Sequence, residues 1–238
     1  MLRLVNVNSS YGLVHVLKNV SLHADKGEIV TLIGANGAGK TTLINILSGI
    51  TPPTSGCVRY DGKSVESLPA HQVAALGIAR TFQNIRLFKE MTVLENVMVG
   101  TFIHAPTMKT ARKQAMEILE KVRLEDKADQ LVLNVTLEDR KRLELARALA
   151  TKPSLLLLDE VMSGLTPAEV KVSIELIRRL RTEELTIIVV EHIMDVILSL
   201  CDRIAVLDYG QKIAEDKPDR IVNNPEVIKA YLGERYRA

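Results

Sequence analysis

Neither sign of charge dominates this sequence: 31 lysines and arginines stand against 29 aspartates and glutamates, a formal net charge of +2. A nucleic-acid binder usually shows a basic excess or stripe, so nucleic acid is not an expected partner. Cysteine is scarce. Cys57 and Cys201, the two present, are far apart and in no metal-ligand spacing, which points to reduced structural thiols. No apolar run reaches the roughly 18 residues of a membrane span. Residues 1–12 also lack the apolar core of a signal peptide. Any membrane association is therefore expected to be peripheral and through a partner. Internal repeats and low-complexity linkers are missing too.

What is present is the balance of a globular protein, 47% hydrophobic and 25% charged over 238 residues. That length allows one large domain, or two fused lobes, with a sizeable core. Leu2 and Leu4 flank Arg3, and Val5 and Val7 flank Asn6, which predicts a half-buried strand whose alternation slips by one residue partway along. Further strands are predicted over 16–22, 28–33, 57–60 and 78–82, with Asp61-Gly62 closing a hairpin. From 92 to about 150 the pattern turns helical. Ala111, Ala115, Ile118, Leu119 and Val122 make one apolar stripe, and a second helix starts near Thr136. Buried strands over 155–158 and 186–190 flank a helix over 167–181. A late hairpin turns at Tyr209-Gly210, and 221–232 reads as helix. Together these give parallel α/β logic with a helical insert.

Gly34-Ala-Asn-Gly37-Ala-Gly39-Lys40-Thr41 fills every position of the P-loop pattern, with an apolar strand before it and a helix after. Glycines let successive backbone N–H groups converge on phosphate, and the helix N-terminus adds favourable charge. Gly34, Asn36, Gly37, Gly39, Lys40, Thr41 and Thr42 are the expected nucleotide contacts. Lys40 is expected to meet the β- and γ-phosphates of ATP and Thr41 to place its hydroxyl on Mg²⁺. Asp159-Glu160 follows four buried leucines. An acidic pair after a strand is common by itself, but beside a P-loop Asp159 suits Mg²⁺ and Glu160 suits the attacking water. His192 lies just past a buried strand, where it is either structural or donates to the γ-phosphate. Gln83 sits where strand pattern gives way to the insert, with its amide available to Mg²⁺ or water. Tyr11 offers a flat face to adenine, or is simply a hairpin aromatic.

In this order, these residues resemble the ATP-binding subunit of ABC transporters over essentially the whole chain. The resemblance implies a P-loop NTPase core with an antiparallel β subdomain and a helical subdomain inserted over 88–150, all within one domain spanning 1–238. It also implies adenine stacking for Tyr11, a glutamine-loop role for Gln83 and a switch role for His192. Three stretches look like branched-chain amino acid importer subunits: 79–88 with 91–97, 142–148, and the tail 224–233. They favour the larger of the two ATPase subunits that such importers usually pair, although the segment after Gly100 is shorter than expected there. The implied setting is the cytoplasmic face of the membrane, beneath permease subunits, with a second ATP-binding subunit, identical or not, and indirectly a substrate-binding protein. Apolar residues Phe88, Met91, Val93 and Leu94 offer either a permease contact or the core of the insert. Val161 stands where proline is usual and Thr166 where many members carry aspartate. The signature segment aligns with Val135-Thr-Leu-Glu-Asp139. Thr136 keeps a hydroxyl for the partner's γ-phosphate and has the capping-box spacing with Asp139. Glu138 replaces a glycine and brings negative charge toward that phosphate, which implies slowed hydrolysis. A soluble ATP-dependent switch, and a hydrolysis-impaired subunit supporting a competent partner, are the competing readings.

Overall fold

The computed structural model describes residues 1–182 and 184–232, of 231–232 the backbone alone; Gly233, the last residue of the 224–233 stretch, lies outside the described residues. In chain order the elements are β1 (Leu2–Tyr11), β2 (Val14–Ala24), β3 (Ile29–Gly34), α1 (Lys40–Leu47), β4 (Ser55–Tyr60), β5 (Lys63–Ser64), α2 (Ala70–Ala75), β6 (Ile78–Arg80), α3 (Val93–Thr101) and α4 (Met108–Val122). They continue with α5 (Leu137–Ala150), β7 (Leu155–Asp159), α6 (Pro167–Leu180), β8 (Thr186–Val190), α7 (Met194–Leu200), β9 (Arg203–Asp208), β10 (Gln211–Asp216), α8 (Pro218–Ile221) and α9 (Pro225–Val227).

Two sheets organise the molecule. A six-stranded sheet runs β10-β9-β3-β8-β7-β6, and a four-stranded antiparallel sheet runs β2-β1-β4-β5. Strands β9, β3, β8, β7 and β6 are mutually parallel, and β10 adds an antiparallel edge. Alternate side chains of the larger sheet feed different cores. Ile29, Leu156, Leu158, Ile187 and Val189 pack toward the helical insert. Val30, Leu32, Leu155, Leu157, Ile188 and Val190 pack with α1 and the antiparallel sheet. A sheet covered on both faces needs unbroken apolar strands, which is why 155–158 and 186–190 are so plain in the sequence. The slip in β1 is a bulge. Asn6 adopts φ 49°, pairing shifts between Leu4 and Val7, and Val5 turns outward so that Val7 returns to the core.

Within the insert, the Ala111–Val122 stripe is buried against α3 and α5. Helices α3, α5 and α6 all begin with a threonine in a reciprocal capping box: Thr92 with Glu95, Thr136 with Asp139, Thr166 with Glu169. Thr166 thus starts a helix. Val161 packs on the core beside the fully buried Met162. Val93 and Leu94 are buried on the inner face of α3, so of the proposed contact residues only Phe88 and Met91 remain exposed. The predicted C-terminal helix is broken: Pro225 starts a new turn, and 228–232 winds as a π-helix.

Candidate nucleotide site

Every parallel strand that matters ends on the same edge of the six-stranded sheet. There β3 delivers the P-loop, β7 delivers Asp159 and Glu160, β8 delivers Glu191 and His192, and β6 delivers Arg80 and then Gln83. Ligands of open α/β sheets bind outside these carboxyl ends. The loop itself is held by backbone. A Cβ on Gly34 would run into the Leu207 carbonyl, and one on Gly39 (φ 101°) would come within 2.6 Å of Leu17 Cδ2. Ala35, Asn36 and Gly37 are exposed, while Lys40 and Thr42 are buried and Thr41 faces outward at the first turn of α1.

Lys40 Nζ donates to the Gly34 carbonyl at 2.7 Å and to the Ala35 carbonyl at 3.0 Å. Burial lowers its ammonium below the ordinary lysine value, against the pull of Glu160 and Asp159. Asp159 is 1% exposed. Burial raises its carboxyl, opposed by Arg80, whose Nη2 donates to Oδ2 at 2.9 Å. Glu160 sits at φ 50°, a costly conformation for a side-chain-bearing residue, and its amide donates to the Val190 carbonyl at 2.9 Å. Its Oε2 accepts from Gln83 Nε2 at 2.7 Å, so the glutamine reaches the acidic pair across 77 residues of chain.

Thr41, Gln83 and Asp159 line one polar cavity of about 300 Å³, together with Asn45, Arg80 and Phe82. A hydroxyl, an amide and a single carboxylate are the hard oxygen donors that suit Mg²⁺ arriving with phosphate oxygens. Tyr11 is half exposed at the tip of β1, and the His192 side chain is exposed just past β8; neither lines that cavity. Thr136 belongs to a different surface, at the start of α5, where its hydroxyl donates to Asp139 Oδ2 at 2.8 Å. Glu138 is ion-paired with Arg142 one turn on, so its charge is not bare as the sequence alone implied.

Several residues that sequence reasoning left without a role hold this edge together. Arg80 ties Asp159 to Asn45 of α1 and to Ser48, the residue just past that helix. Buried Glu144 of α5 accepts the Phe82 N–H at 2.9 Å, linking the glutamine segment to the helix that begins at Thr136. Burial raises its carboxyl, as it does that of Glu191, which accepts the N–H groups of Met162 and His192. For Arg80 and Glu191 a charged residue at the end of, or directly behind, an apolar strand was the available signal, and Glu144 on its helix carried none. Beside this edge lies an apolar groove of about 520 Å³, lined by Ile50, Ala74, Phe88, Val99 and Arg147 among others.

A family model described as ABC transporter matches residues 17–163, and one described as branched-chain amino acid ATP-binding cassette transporter matches 211–237. The chain is 38% identical to the high-affinity branched-chain amino acid transport ATP-binding protein BraF of Pseudomonas aeruginosa, covering 98% of each. It is 41% identical to the corresponding LivG of Escherichia coli, covering 94% of each. A solved nucleotide-free ATP-binding cassette from an ABC transporter superposes with TM-score 0.89 at 29% identity, covering 98% of this chain and 99% of that one. A bacterial ABC transporter cassette solved as a dimer gives TM-score 0.83 at 30% identity, covering 92% and 99%. No helix among the described residues is long and apolar enough to cross a membrane. With its P-loop, acidic pair and glutamine gathered on one sheet edge, the chain belongs to the ABC transporter family, as an ATP-binding and ATP-hydrolysing subunit resembling the ATPases of branched-chain amino acid importers.

Proposed function

We propose that this subunit powers import of branched-chain, hydrophobic amino acids through separate permease subunits, from the cytoplasmic face of the membrane and as a single domain spanning 1–238. The observation that carries the reading is the convergence of Lys40, Thr41, Gln83, Asp159 and Glu160 on one edge, beside an apolar groove sized for part of another protein.

Residue by residue, the backbone of Gly34, Asn36, Gly37 and Gly39, with Thr42, cradles phosphate. Lys40 balances the β- and γ-phosphates from a position already fixed by two carbonyls. Thr41, Gln83 and Asp159 hold Mg²⁺, which when bound neutralises charge on the transferring phosphoryl group. Glu160 orients the attacking water and takes its proton, and His192 donates toward the γ-phosphate. Tyr11 stacks on adenine. Thr136 serves the nucleotide of a second ATP-binding subunit, identical or not, so two ATP molecules close the pair and hydrolysis reopens it. The 88–150 subdomain and the groove receive the permease, and a substrate-binding protein delivers the amino acid from the far side. Because the Phe82 N–H is bonded to Glu144, a shift of the groove wall reaches Gln83 through one residue.

The test is reconstitution with cognate permease, substrate-binding protein and ATP in sealed vesicles, following leucine, isoleucine and valine. Uptake is expected with the wild type and none with Lys40→Ala, whose ATP affinity should fall at least about tenfold. ATP hydrolysis without uptake of any of the three amino acids would sink the substrate assignment. Failure to copurify with any permease would favour the soluble switch.

A further inference from the structure

The carboxylate placed to meet a metal already has a cation. Arg80, the last residue of β6, is buried with a side chain 7% exposed, and its guanidinium donates to Asp159 Oδ2 at 2.9 Å. The rest of the fork is anchored as well. Nη1 donates to Asn45 Oδ1 at 2.6 Å and Ser48 Oγ at 3.3 Å, and Nε donates to the Thr81 carbonyl at 3.2 Å. One face lies over the Phe82 ring, 4.8 Å from its centroid, and Arg86 lies over the same ring at 4.7 Å. Such a group does not swing into solvent when a ligand arrives. It stays in the wall of the cavity that Thr41, Gln83 and Asp159 share.

We propose that Arg80 is a resident cation of the nucleotide site and sets how strongly nucleotide binding depends on Mg²⁺. A fixed positive charge in that wall attracts the phosphates of a nucleotide whether or not a metal accompanies them. The same charge engages Asp159 and repels a divalent ion. Both effects narrow the gap between metal-loaded and metal-free binding. Taking the charge away must widen it from both ends: metal-free nucleotide binds more weakly, and Asp159, released from its arginine, holds metal more firmly. The site thereby holds nucleotide without the metal better than its oxygen donors alone would allow. This inference rests on the nucleotide reading of the edge and adds to it a residue to which none of the motif patterns gives a role.

The experiment is calorimetric titration of the whole chain with ADP, in EDTA and in millimolar Mg²⁺, for wild type, Arg80→Gln and Arg80→Lys. The quantity read is the ratio of the two affinities. Arg80→Gln should raise that ratio by about tenfold or more, and Arg80→Lys, which keeps the charge without the fork, should stay near wild type. A purely structural arginine would weaken both affinities together and leave the ratio alone. An unchanged ratio in Arg80→Gln overturns the proposal, as does a tenfold rise in Arg80→Lys. Should Arg80→Gln fail to fold, melting of the nucleotide-free wild type with Mg²⁺ decides. No rise beyond that given by sodium at equal ionic strength is expected, and a specific rise overturns the proposal. Absence of any ADP binding to wild type would instead overturn the nucleotide reading.

Discussion

Glu160 holds two relationships at once: its strained backbone is pinned to β8, and its carboxylate is held by Gln83. Glu160→Gln keeps the shape and removes the base. ATP binding should stay within about threefold, and turnover of the assembled transporter should fall at least about a hundredfold, the usual worth of a positioned base. Wild-type turnover in that variant would remove Glu160 from the chemistry. Glu138 calls for a different reading from the one its sequence position suggests. Its pairing with Arg142 offsets its charge, and both side chains are largely covered. Glu138→Gly should therefore change ATP-dependent association by less than about threefold, whereas Arg142→Gln should weaken it about tenfold by baring the glutamate. Sedimentation of both variants across the same ATP concentrations separates the two cases. What sequence could not supply here was the partner: glutamate four residues before arginine is an ordinary helix pair, and only the folded turn shows it shielding this position.

At the scale of elements, α5 connects most of what has been described. Its start is fixed by the Thr136–Asp139 capping box and by Lys127, whose Nζ donates to Asp139 Oδ2 at 2.7 Å. Burial pushes the Asp139 carboxyl up, but the hydrogen bonds from Lys127 and Thr136 outweigh it and hold the group below the ordinary aspartate value. A carboxyl depressed in the folded state stabilises fully above its unfolded value of about 3.9, and that contribution is lost as pH falls through the lower folded value. Melting temperature should therefore drop more steeply on acidification in wild type than in Asp139→Asn, whose curve should be lower at neutral pH and flatter below it. Parallel curves would remove Asp139 from the acid response. Elements with this kind of punctuation were legible: the capping residues, the alanine stripe of α4 and the apolar runs of β7 and β8 all announce themselves. Short pieces were not. The six residues of α2 and the seven of α7 have too few turns to show a period, and β5 is two residues whose pairing with β4 follows from the Asp61-Gly62 turn. Pro225 shows how one residue divides an apolar stretch that otherwise reads as continuous helix.

For the whole molecule, the proposed permease contact is the apolar groove beside the nucleotide edge. Ile50, Phe88 and Val99 line it and are substantially exposed, and Arg147 stacks on Phe88 at 4.7 Å. Cysteine placed at Ile50 or Val99 should cross-link to a permease subunit in the assembled complex, and cysteine at Met108 on the outer helix should not. Cross-links from Met108 alone would move the docking surface elsewhere. The P-loop and the acidic pair were legible because each is a chemical type at a strand end, whereas Gln83 and His192 stood out chiefly through the family resemblance. Arg80 and Glu144 were not, since their meaning depends on neighbours far away in the chain.

The position of β3 has a consequence for how such a chain is made. The strand that carries the P-loop is complete at Gly34, yet its two neighbours in the sheet are β8 and β9, ending at Val190 and Asp208. During synthesis at about 5–20 residues per second, both edges of β3 stay bare for roughly 8–31 s, until β8 is made, and one edge longer still, until β9 is made. Over that interval the loop cannot be propped by the Leu207 carbonyl region or by the turn at Gly210, whose amide bonds to Ala38. Nucleotide in the cell therefore cannot assist the nascent chain until β8 and β9 have been made. A polypeptide stalled before residue 203 should emerge as a chaperone client with unpaired strand edges, not as a smaller ATP-binding protein.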